Sequence, residues 1–77
     1  MTDLEKVTKY GSAIEFIKNP SEEVQIAAVT QNGYAINYIN NPSEEVQIAA
    51  VTENGYVIQF IKNPTLIVRQ IVAVEKL

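Results

Sequence analysis

Residues 42–63 read PSEEVQIAAVTENGYVIQFIKN, and residues 20–41 read PSEEVQIAAVTQNGYAINYINN. The two stretches are identical at 17 of 22 positions. They differ at Gln31/Glu53, Ala35/Val57, Asn37/Gln59, Tyr38/Phe60 and Asn40/Lys62. Asn-Pro recurs at Asn19-Pro20, Asn41-Pro42 and Asn63-Pro64, so the period runs through most of the chain. A fixed period of this size marks a repeat architecture, in which one unit cannot bury its apolar face alone but stacked units can. Upstream, Gly11, Ile14 and Ile17 stand one period before Gly33, Ile36 and Ile39, as a worn copy. Residues 64–77 are a half copy that stops before its glycine. The chain therefore reads as a single domain over 1–77, with units at about 1–19, 20–41, 42–63 and 64–77.

Each unit predicts two short helices. In the clear repeat, Asn41-Pro42-Ser43-Glu44-Glu45 is a helix start, because Pro is tolerated in a first turn. Either Asn41, with Glu44 three residues on, or Ser43 is the cap. Val46 to Val51 carry the helix forward, and Asn54-Gly55 stops it, with glycine expected to supply a left-handed residue. Tyr56 to Lys62 then form a second, two-turn helix that ends at the next Asn-Pro. Asn-Gly between apolar runs is also a hairpin signal, and Tyr34, Ile36 and Tyr38 alternate as in a strand. The Ala-Ala pairs at 27–28 and 49–50 and the acidic starts favour helix. The expected fold is all-α, a short α-solenoid of about seven helices near 3–10, 12–18, 21–31, 34–40, 43–53, 56–62 and 65–76.

Composition removes whole classes of function. The 77-residue, 8.6 kDa chain has no cysteine and no histidine. A disulfide framework, a thiolate nucleophile and a cysteine-ligated zinc are thereby excluded, together with the commonest general base and metal ligand. Six basic against nine acidic residues give a net charge of -3, which argues against a nucleic-acid binder. No run is apolar enough to span a membrane, and no secretory signal is read at the N-terminus, so a cytoplasmic home is expected. Ser21, Ser43 and Thr65 share the helix-start position and have no base to activate them. No catalytic residue, cofactor or metal site is expected.

Two groups of residues invite a binding role, and a third reads as core. Glu22, Glu23, Glu44 and Glu45 either offset helix dipoles or form an acidic ridge for a basic partner. Tyr34 and Tyr56 share the position after the glycine, where they pack on a neighbouring unit or line a binding edge. Phe16, Tyr38 and Phe60 share another position and read as a core stripe between helices.

The C-terminal helix is the odd element. Where the repeat has Ser-Glu-Glu-Val, it has Thr65-Leu66-Ile67-Val68. At 100° per residue, Val68 and Val72 face the previous repeat; Ile67, Ile71 and Val74 fall on one further flank, and Leu66, Ala73 and Leu77 on another. Terminal repeats normally carry a polar outer face. The first helix obeys with Asp3, Glu5, Lys6 and Lys9, and the last does not. Leu66, Ile67, Ile71, Val74 and Leu77 are therefore the candidate interface for a second copy, for a different protein, or for the chain's own solenoid if the helix folds inward. A two-fold homodimer is the preferred outcome.

The string at 19–34 and 41–56 resembles a tandem 22-residue helical repeat family of unknown function, of the form Asn-Pro-Ser-Glu-x-Val-Gln-x-Ala-Ala-Val-x-x-Asn-Gly, seen in bacteria, phages and large DNA viruses. The match is close over 19–63 and loose at both ends. The helix starts are also similar to those of HEAT-like repeats, whose periods are longer. The resemblance implies a helical scaffold and a mobile-element origin, and brings no catalytic residue. The expected function is non-catalytic protein–protein interaction, with a homodimer through the last helix. The alternatives are a phage or mobile-element inhibitor of a host defence protein, and a small-ligand binder near Tyr34 and Tyr56. The positions that differ between the two copies are where specificity would be written.

Overall fold

A hydroxyl side chain one residue after each proline sets where each long helix begins. Ser21 Oγ accepts from the Val24 N–H at 3.2 Å, Ser43 Oγ from Val46 at 3.3 Å, and Thr65 Oγ1 from Val68 at 3.3 Å. Ser43, rather than Asn41, is thus the cap. Asn19 and Asn41 instead make the turn into the proline, with φ of 51° and 52°. That left-handed region is open to asparagine more readily than to most residues.

The computed structural model describes residues 1–75. Four α-helices run over Asp3–Lys9 (α1), Glu22–Gln31 (α2), Glu44–Glu53 (α3) and Leu66–Glu75 (α4). Between them lie three 3-10 helices, Gly11–Phe16 (η1), Gly33–Tyr38 (η2) and Gly55–Phe60 (η3). No strand occurs among the described residues. The α-helices stack in one row and the 3-10 helices in a second, each packing on its α neighbours. The result is an elongated two-row array of 41 × 20 × 16 Å. Val7, Ile14, Val29, Val46, Val51, Val57 and Val68 are fully buried along the seam.

The short helices are 3-10 rather than α, and this changes which side chains face inward. In η2 and η3 the six residues are rich in β-branched and aromatic types and follow an asparagine, whereas η1 follows Tyr10; Asn-Pro comes after all three. Three residues per turn place i and i+3 on one edge. Gly33, Ile36 and Ile39 form that inward edge and are buried, whereas Tyr34, Asn37 and Asn40 form an outward edge. Phe16, Tyr38 and Phe60, read above as core, are 84, 46 and 41% exposed. Tyr34 and Tyr56, at 45 and 75%, are not core either.

The glycines also have a different reason from the one expected. None has a positive φ. Asn32 and Asn54, in extended conformation, end the α-helices and cap the 3-10 helices by accepting from Tyr34 and Tyr56 N–H. Gly11 and Gly33 are needed for close approach to the next α-helix. The Gly11 N–H donates to Gln31 Oε1 at 2.6 Å, and the Gly33 N–H to Glu53 Oε1 at 3.1 Å. One of the five repeat differences, Gln31/Glu53, is therefore an exchange of one acceptor for another.

Gln47 is the buried polar side chain of the core, 6% exposed. Its Nε2 donates to the Pro42 carbonyl at 3.1 Å, and its Oε1 accepts from Thr65 N–H at 3.2 Å. It ties the turn before α3 to the start of α4. Gln25 makes the equivalent bond to Pro20 at 3.0 Å but is less buried. Gln47→Ala strands two part-buried backbone groups, so it is expected to cost about 2 kcal/mol in a urea melt. Gln25→Ala is expected to cost about half as much.

Thr2 and Glu5 close a capping box on α1. The Thr2 N–H donates to Glu5 Oε1 at 2.8 Å, and Thr2 Oγ1 accepts from Glu5 N–H at 3.1 Å. The backbone bond from Thr2, then the side-chain bond, hold the Glu5 carboxyl below its usual 4.5. Its contribution is present above pH 4.5 and lost as pH falls through the lowered value. The protection factors of the α1 amides, taken against the intrinsic exchange rate that itself slows in acid, are expected to fall on acidification through that window, and Glu5→Gln to remove that fall.

Candidate functional site

Position-by-position comparison of α3 with α4 separates the faces of the last helix. Gln47 and Val51 are buried, and Glu44 and Ile48 half-buried, under α4. Their counterparts Arg69, Ala73, Leu66 and Gln70 are all exposed. This is the face on which a further helix would stack, and Arg69 and Gln70 make it partly polar. Val68 and Val72 are 0 and 6% exposed against the rest of the solenoid, as the sequence predicts.

A second face is exposed in every interior helix. It carries Glu23 and Thr30 in α2, and Glu45 and Thr52 in α3. In α4 the same two positions are Ile67, 48% exposed, and Val74, 67% exposed, with half-buried Ile71 beside them. An outer flank that is polar for two repeats thus becomes aliphatic in the last helix. Leu66, 70% exposed, lies on the stacking side. With these residues uncovered, the helix does not fold inward over its own solenoid. Leu77 lies outside the described residues.

The N-terminal end differs from the interior of the array. Val24, Ala27 and Ala28 of α2 are buried or half-buried, while Thr2, Glu5 and Lys6 one period earlier are exposed and carry charge of both signs.

The remaining sequence candidates are spread along the solenoid. Glu22, Glu23 and Glu45 are exposed and Glu44 half-buried, all in the first turns of α2 and α3. Tyr34 packs on Phe60 of the following unit, with centroids 5.9 Å apart and planes at 59°. Tyr56, the last of its series, is more exposed than Tyr34. Among the described residues no group of acidic side chains is gathered closely enough to hold a metal ion. No described helix is long and apolar enough to cross a membrane. The sequence reading marked Asn37 and Asn40, with Gln59 and Lys62, as differing positions where specificity would be written, but not that they share one outward edge of the 3-10 row. A period of three in these segments would have found it.

No protein-family model, curated protein or solved structure matches this chain.

Proposed function

We propose that the protein is a non-catalytic interaction module that works as a two-fold homodimer, joined through the outer flank of α4. The observation that carries this reading is the replacement of Glu45 and Thr52 by Ile67 and Val74 at positions that stay exposed. A solitary exposed aliphatic residue needs no explanation, but an adjacent set introduced where the repeat is polar calls for a cover. An isologous interface sets the same flank of each copy against the other and closes on itself. Covering Ile67 and Val74, with Leu66 where the stacking side joins the contact, contributes on the order of 3–6 kcal/mol per copy. The two copies together gain about 6–12 kcal/mol against association costs of about 4–15 kcal/mol, so the dimer is no tighter than micromolar. The test is light scattering coupled to size exclusion across a dilution series. A mass of twice 8.6 kDa that falls to one chain on dilution is expected. A single-chain mass at hundreds of micromolar overturns the proposal.

A further inference from the structure

Two clefts open along the Asn-Pro edge of the solenoid, and they are related by the repeat. The first, 380 Å³, lies between Pro20 and Tyr38 over Ile39. The second, 570 Å³, lies between Pro42 and Phe60 over Ile61. Each has a left-handed asparagine on one wall, Asn19 or Asn41, and an exposed aromatic on the other. Asn40 lines both.

The clefts collect the differences between the two otherwise matching repeats. Of the five differing positions, 31/53 only exchanges acceptors for a glycine N–H, and 35/57 is buried as Ala or Val. The other three, 37/59, 38/60 and 40/62, supply Asn37, Tyr38, Asn40, Phe60 and Lys62 to the cleft linings. What the copies share builds the solenoid, and most of what separates them faces this groove.

We infer that this edge is a docking groove for an extended peptide segment of another protein, bearing an acidic side chain at the register of Lys62. Exposed asparagine amides offer both a donor and an acceptor, which an extended chain's unpaired peptide groups require. Stacked helices lie about 8–10 Å apart, and an extended chain in the polyproline II form has three residues per turn and advances about 3.1 Å per residue. Every third side chain therefore faces the same side and meets an equivalent cleft, and roughly a dozen residues span the 41 Å length. The exposed faces of Tyr38 and Phe60 take aliphatic side chains of the ligand. Among the described residues, Lys62 is the one charged residue lining either cleft, so the complementary ligand group there is acidic. Asn40 at the equivalent place in the first cleft fixes the peptide's direction. This site is separate from the α4 flank and does not need the dimer.

The experiment is selection from a displayed random library of about twelve-residue peptides on the full chain. Binding is then measured to wild type, Lys62→Glu, Asn40→Ala and Ile67→Glu. Selected peptides are expected to carry Asp or Glu three residues from an aliphatic residue. Their affinity is expected to fall about tenfold on Lys62→Glu and several-fold on Asn40→Ala. A peptide with its acid changed to Lys is expected to regain binding to Lys62→Glu. Ile67→Glu leaves the affinity unchanged. Failure to enrich any sequence overturns the inference. So do selected peptides indifferent to Lys62→Glu and Asn40→Ala, or lost on Ile67→Glu.

Discussion

Ile67→Glu combined with Val74→Thr gives a protein that stays a single chain at concentrations where wild type is paired. The expected weakening is at least about a hundredfold in the dimer dissociation constant, or roughly 3 kcal/mol. Two effects contribute. Each copy loses the apolar surface that the interface removes from water. Each copy also brings a carboxylate to the two-fold contact, where it would be desolvated without a partner. The fold has no reason to change, because Glu45 and Thr52 occupy the equivalent places in α3 and remain exposed. Helical circular dichroism and the urea midpoint of the diluted, monomeric proteins should coincide. Adding Leu66→Glu tests whether the stacking side shares in the contact. The converse graft, Glu45→Ile with Thr52→Val, lays a second aliphatic strip on α3 and is expected to produce species larger than two chains. If the double variant keeps the wild-type mass, the contact lies elsewhere and the dimer reading falls.

The parts of the fold legible in the sequence are those governed by local chemistry. Pro20, Pro42 and Pro64, each followed by a hydroxyl residue, mark the starts of three long helices to within a residue or so. Asn32 and Asn54 end two of them. The inward direction of Val68 and Val72 follows from repeat position alone. The 3-10 row was less legible because six residues contain too few turns to separate a period of 3.0 from one of 3.6. That small difference carries Tyr38 and Phe60 from the expected interior to the surface. It also conceals the outward edge of Asn37 and Asn40. The glycines were legible as special positions but not for their reason. A left-handed residue and a close contact both select glycine, and only the neighbour's backbone tells them apart. The α4 flank was legible in residue type, since Glu-Glu had become Leu-Ile. Its division into a stacking side and an outer side needed the burial of each equivalent residue in α3.

The close-contact account of the glycines makes an unequal pair of substitutions the sharpest test of how the two rows fit. A methyl group on Gly11 would overlap the Ala28 carbonyl oxygen and stand 2.9 Å from Gln31 Oε1. The side chain can swing away, but the carbonyl belongs to the body of α2 and accepts the Asn32 N–H at 2.9 Å. Relief therefore means moving η1 off α2, which lengthens the Gly11–Gln31 bond and opens the seam around Ile14. A methyl group on Gly33 would meet Ala50 O and Glu53 Oε1, both at 3.1 Å, a strain that a few tenths of an ångström relieves. Alanine also lowers the entropy of the unfolded chain, which stabilises by about 0.4–1 kcal/mol wherever the native geometry tolerates it. Gly33→Ala is accordingly expected to change stability by less than about 1 kcal/mol, because the two effects nearly cancel. Gly11→Ala is expected to cost about 3 kcal/mol, a fall in melting temperature of roughly 12–24 °C for a domain of this size. In a solenoid each unit touches only its neighbours, so hydrogen exchange in Gly11→Ala should rise first in α1 and η1. Protection at Val46, Ala50 and Val51 should persist. Equal losses from the two variants would mean that the glycines are held by something other than the approach of η1 and η2 to the α-helix row.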